Sequence, residues 1–234
     1  RDFCLSRGLG DVYKRQIYTY TLSAQVYVNL TQRNPMPTSL LTAANPHFIN
    51  DPAAGGDTIP LAHHAAPPAA AADLAQLQRW LNGASEGLLD LYRAHDGLTL
   101  FARRDDAESG LHFLPVADMP AWKQDLASWL KQGDADYDEY TTCDGRPAII
   151  GTPEWWDGAV VFAYFGYPPE CLLMPTSGDY RGQIFIYEHD GGDDTSRIAL
   201  NCADLFAQIR DDAPAFFRRY YGVDYYDVAS YHAA

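Results

Sequence analysis

From residue 73 to residue 220 the apolar positions switch between a helical and a strand period. Leu74, Leu77, Trp80 and Leu81 recur at spacings of three and four, which predicts a helix capped by Asp73 and ended by Asn82-Gly83. Ser85 starts a second helix that carries Leu88, Leu89, Leu91 and Tyr92 and closes at His95-Asp96-Gly97. Residues 98–102 and 111–114 read as strands around a charged turn. The helical period returns over 119–131, where Trp122, Leu126, Trp129 and Leu130 share a face. Strands are predicted at 148–151, 159–165, 171–174, 183–188 and 197–200. Trp155-Trp156-Asp157-Gly158 forms the turn between the first two, and residues 177–182 and 189–194 form later turns. Asn201 caps a last helix, with Asp204 in its first turn where the dipole favours an acid, and Pro214 kinks or splits it.

Helices, then a run of strands through short turns, then a helix imply an α+β fold. Its sheet is expected to be mixed but largely antiparallel, with helices packed on one face. Residues 45–72 are rich in Ala, Pro and Gly, and Pro46, Pro52, Pro60, Pro67 and Pro68 read as a loop or semi-rigid arm. His63-His64 inside it reads as a solvated pair. Residues 11–16, Asp-Val-Tyr-Lys-Arg-Gln, resemble a translated sequencing adapter, so residues 1–16 are set aside as an artefact. Residues 17–35 read as a short strand or as read-through ahead of a start at Met36. The expected organisation is therefore a non-native or flexible arm over 17–72, a domain over 73–222 and a tail over 223–234.

Charge narrows the range of partners. The chain holds 17 basic and 31 acidic residues, a net charge of −14, and residues 1–16 contribute four basic and two acidic ones. Such a field repels nucleic acid and anionic membranes and complements a basic protein. No stretch has the length and apolarity of a membrane-spanning helix, and no signal peptide is evident. The four cysteines (Cys4, Cys143, Cys171, Cys202) form no Cys-x-x-Cys pair, which predicts free thiols in a reducing cytoplasm.

The segment from Glu170 through Cys171-Leu-Leu-Met-Pro-Thr-Ser-Gly-Asp-Tyr-Arg-Gly-Gln-Ile-Phe-Ile-Tyr-Glu-His-Asp-Gly191 resembles the heart of the SUKH (Smi–Knr) superfamily. That family shows a strand, a small-residue turn, a strand ending in an aromatic, an Asp-Gly turn, and then a strand and a capped helix. The stretch 88–100 is similar to its first helix and polar-Gly turn, although Ala84-Ser85 stands for the usual Leu-Pro and Asp96-Gly97 for Asn-Gly. The resemblance covers about residues 74–217. It implies a non-enzymatic domain without cofactor or metal, an immunity protein that neutralises a polymorphic, often nuclease-type toxin. The alternative within the family is a regulatory or scaffold domain with a housekeeping partner.

Candidate contact residues for a basic toxin are Asp134, Asp136, Asp138, Glu139, Trp155, Trp156, Asp157 and Asp190, acids beside aromatic anchors. Strand alternation predicts that one Trp of the pair is buried and the other free. The alternate acids of residues 133–140 lack the Gly and closing Glu of a calcium loop. A hydrolase would need the His189-Asp190 cluster with Asp193 and Asp194, or Cys171 as a nucleophile with His189 as its base. A solvated turn and a buried strand thiol are the plainer readings.

Overall fold

The runs Ala159–Phe165, Cys171–Pro175 and Ile184–Glu188 are apolar at nearly every position, so neither side of the strands they form can face water. The computed structural model describes residues 47–50, 58–104, 106–132, 138–166, 170–188, 194–220 and 225–226. In chain order the elements are β1 (His47–Asn50), β2 (Thr58–Ala65), α1 (Ala71–Leu81), α2 (Glu86–Ala94), β3 (Leu98–Arg103), β4 (Leu111–Phe113) and α3 (Met119–Gln132). There follow β5 (Asp138–Thr141), β6 (Pro147–Ile150), β7 (Ala159–Phe165), β8 (Cys171–Pro175), β9 (Ile184–Glu188) and β10 (Asp194–Ala199). The helices α4 (Cys202–Asp211) and α5 (Ala213–Tyr220) and the strand β11 (Tyr225–Tyr226) complete the set.

The fold is α+β. The strands make one sheet in the order β11-β1-β2-β3-β4-β7-β8-β9-β10-β6-β5. Every ladder among the described residues is antiparallel, so the expected mixed sheet is purely antiparallel there. β7 to β10 form a meander, which is what short turns between successive strands produce.

The helices divide between the two faces. His112 and Phe113 are consecutive on β4 and point to opposite sides. Phe113 meets Phe162 and Phe206 of α4, while Tyr164, paired with His112, stacks on Trp122 of α3. The first face holds α2, α4 and α5: Phe165 contacts Phe216 and Phe217, and the buried Tyr92 hydroxyl donates to the Leu114 carbonyl at 2.7 Å. The one-face expectation thus holds for these helices and not for α3. The reason is the central strands, whose second apolar face also needs a cover.

Helix ends follow local chemistry. The Ser85 hydroxyl accepts from the Leu88 N–H at 3.1 Å, and the Asn201 carbonyl oxygen of the side chain accepts from the Asp204 N–H at 3.0 Å. Asp204 reaches back to the Leu200 N–H at 2.8 Å. Asp212 separates α4 from α5 and caps the second through the Ala215 N–H, with Pro214 in its first turn, so the last helix splits as its proline predicts. Asp73 lies inside the first turn of α1 rather than at its cap, which is Ala70.

The Ala/Pro-rich arm is corrected by β2. Thr58–Ala65 pairs with β3 and places Leu61 at 0% exposure, so the folded domain includes this part of the segment. Pro60 is accommodated because the ladder asks for its carbonyl, which accepts from the Arg104 N–H. Residues 225–226 of the expected tail likewise pair with β1. Trp155–Gly158 joins two strands as predicted, yet β6 and β7 are not neighbours: β6 lies between β10 and β5.

His63 is not a solvated loop residue. The β2–β3 register shifts between Ala62 and His64, opposite Phe101, which takes the left-handed φ of 58°. At this bulge the Phe101 N–H turns to the imidazole and donates to His63 Nδ1 at 3.1 Å, while the two rings meet edge to face at 4.6 Å. Gly110 makes the bend possible. At φ 95° a Cβ there would stand 2.5 Å from the Leu100 carbonyl oxygen.

Burial, with a smaller push from His64, lowers the His63 pKa from 6.5 to about 4. A depressed folded-state pKa means that the unfolded chain binds the extra proton first. Stability is therefore full above pH 6.5 and is lost as pH falls toward 4, by up to about 3 kcal/mol from this group. Urea unfolding at stepped pH should show a loss in this window that shrinks in His63→Gln. Gly110→Ala should cost about 2 kcal/mol or more in the same assay.

Candidate functional site

The face bearing α3 gathers most of the described candidate residues. Met119, Leu126 and Leu130 are buried along one stripe of α3, and Lys123 lies on the same stripe. Its ammonium donates to the carbonyls of Asp157 at 2.8 Å and Ala159 at 2.9 Å and sits 5.4 Å from the centre of the Trp156 ring. Burial lowers the Lys123 pKa, opposed by the Asp157 charge. Lys123 thus ties α3 to the short 3₁₀ turn Trp156–Gly158 that leads into β7.

Trp156 is 7% exposed, and its partner is not free either. Trp155 is half-buried against Phe185, 4.9 Å between ring centres, and its indole N–H has no partner among the described residues. The expected division into one buried and one free Trp fails because both rings are needed over the apolar sheet. Asp157 remains exposed. Beside this turn a cleft of about 300 Å³ is lined by Trp80, Met119, Lys123, Asp157, Val160 and Thr176.

On the other flank of α3 lies a second groove, of about 380 Å³. Tyr164 is sandwiched there, with Trp122 stacked on it at 4.1 Å and His112 at 4.6 Å. His112 Nε2 lies 3.0 Å from the carbonyls of Glu108 and Ser109, so that nitrogen carries the proton; Nδ1, 3.1 Å away, accepts from the Thr99 hydroxyl. Burial lowers the His112 pKa despite these carbonyls. Burial, then Glu108, Cys171 and Asp118, raises that of Tyr164. Trp129, predicted to share the buried stripe, is 38% exposed: it falls one position off the Met119–Leu130 row.

Asp138 and Glu139 lie elsewhere, exposed on β5 at the end of the sheet. Tyr140, two residues after Asp138 and on the same side of β5, donates to Asp194, and burial together with Asp194 raises the Glu188 pKa. Asp134, Asp136, His189, Asp190 and Asp193 lie outside the described residues. Cys171 is 1% exposed on β8, and burial raises its pKa far from a reactive value. Burial likewise pushes Cys202 up to about 12. Cys143, Cys171 and Cys202 are free thiols. Among the described residues there is no group of three His, Cys, Asp or Glu side chains placed to hold a metal. No helix there is long and apolar enough to cross a membrane.

Lys123 and His112 were not singled out by sequence reasoning. For Lys123 a signal existed, since it falls four residues after Met119 and three before Leu126 on the buried stripe. For His112 none did, because the partners that fix it, two carbonyls of the preceding turn, the Thr99 hydroxyl and the Tyr164 ring, are brought together only by the fold.

In comparison with known proteins, no family model matches the chain and no curated protein does so.

Lys123→Met should keep the packing of the stem and leave two carbonyls unpaired. The expected loss is about 1–3 kcal/mol in urea unfolding, with a weakened contact between α3 and the Trp156 turn visible as faster amide exchange at Ala159.

Proposed function

We propose that this chain is a non-enzymatic protein-binding domain whose partner is basic, and that it acts as a cytoplasmic immunity protein against a nuclease-type toxin. The observation that carries the reading is the acidic end of the sheet. β5 closes the strand order, and its sequence Asp-Glu-Tyr-Thr presents two exposed carboxylates beside an edge backbone. An extended basic segment can add to such an edge through main-chain hydrogen bonds while its Lys or Arg side chains meet Asp138 and Glu139. A net charge of −14 supports the same choice of partner, since opposite fields speed encounter. Among the described residues Cys143, Cys171 and Cys202 are free thiols, the last two buried, which favours a reducing compartment. The likeness of residues 170–191 to the SUKH pattern supports the toxin-neutralising role.

The test is co-expression with the product of the neighbouring gene, expected to be a toxin, followed by calorimetry of the pair. Rescue of growth is expected. Asp138→Lys with Glu139→Lys should weaken binding about tenfold or more, and added salt should weaken it in the unsubstituted protein. A toxin that kills regardless, or a complex indifferent to both salt and charge reversal, sinks the proposal.

A further inference from the structure

The groove beside α3 combines aromatic rings with two carboxylates. Trp122 and Tyr164 are both half-buried rather than sealed, and since Tyr164 is covered on one face by Trp122 and on the other by His112, Trp122 is the ring of this stack left to receive a ligand. The carboxylates are Asp96 and Asp118. Asp96 spends one oxygen on the Val116 N–H at 2.9 Å, and Asp118 is exposed at the start of α3. Among the described lining residues there is no Lys or Arg to answer these charges; the only basic side chains are His64 and His112. His112 has both nitrogens engaged, and burial lowers its pKa. A groove of this composition asks for a planar cation that can stack and donate at its rim. Guanidinium meets both demands, whereas ammonium is a strongly hydrated point charge that cannot stack.

We infer that this groove receives an arginine side chain of the protein partner, its guanidinium lying against Trp122 and donating to Asp118 and Asp96. This rests on the protein-binding reading above and gives it a second anchor, on α3 rather than on the β5 edge. The aromatic face supplies a broad contact, and the two carboxylates fix the direction of the N–H groups.

The full chain is titrated with Nα-acetyl-arginine amide while the Trp122 indole N–H is followed by NMR, the signal being assigned with Trp122→Phe. A saturable shift is expected, weaker for the lysine amide and absent for the uncharged citrulline amide. Asp118→Asn and Trp122→Leu should each weaken it about five- to tenfold. Asp125→Asn, an exposed carboxylate on the same helix, should leave it unchanged, and thermal melts confirm that the variants fold. No shift, or equal binding of citrulline amide, overturns the inference. Free arginine carries its own carboxylate, which the acidic groove repels; if it binds as well as the amide, the occupant is a metabolite and the partner assignment is overturned. A toxin complex untouched by Asp118→Asn and Trp122→Leu rejects the groove alone and leaves the protein-binding reading standing. Saturable amide binding in a chain that binds no toxin rejects that reading, and the partner's arginine with it.

Discussion

The central constraint is that β7, β8 and β9 are apolar on both of their faces. A sheet with one wet side could have carried its helices on the other, but Val161, Leu173 and Phe185 on one side and Phe162, Leu172 and Ile186 on the other are all buried. Two covers are therefore required. The first is supplied by α2, α4 and α5: Phe206 of α4 meets Phe113, Phe216 and Phe217 of α5 meet Phe165, and α2 adds its leucines and Tyr92. The second is assembled from α3 and the Trp155–Gly158 turn. In that second cover Lys123 ties the helix to the turn by satisfying two backbone carbonyls, while Trp122 stacks on Tyr164 of the sheet. The two grooves lie along the margins of this cover, so the places where a ligand can reach the sheet are set by where the cover ends.

Much of the scaffold was legible in the pattern of residues. Ser85, Asn201 and the Asn82-Gly83 end acted through local hydrogen bonds and left-handed backbone, which depend on few neighbours. The strands β7, β8 and β9 declared themselves by apolar runs, whereas β10, Asp-Thr-Ser-Arg-Ile-Ala, was legible only from residue 197 because its first half is polar. β2 did not declare itself, because its Pro and Ala residues lower strand propensity and only pairing with β1 and β3 makes Thr58–Ala65 a strand. His63 was misread for the same reason. Its role is set by a bulge on another strand, which no local spacing reveals.

The candidate site was legible in part. Asp138, Glu139 and Asp157 are exposed, as acids on turns and edges usually are. The tryptophan pair was placed correctly in sequence but not in space, since alternation presumes a strand and the pair sits on a 3₁₀ turn whose side chains do not alternate. The groove formed by His112, Trp122 and Tyr164 joins β4, α3 and β7, and a stack built from three separate elements leaves no trace in linear order.

The strand order also carries a consequence for how the chain matures. The β5–β6 hairpin precedes β7, β8 and β9 in the sequence, yet the ladder it joins belongs to β10, which is made after all three. Until β10 exists, the hairpin has no sheet to lean on, and an isolated two-stranded ribbon is at best marginal in water. During synthesis the acidic border therefore takes shape only once the meander has reached β10, so its presence reports that the meander has closed behind it.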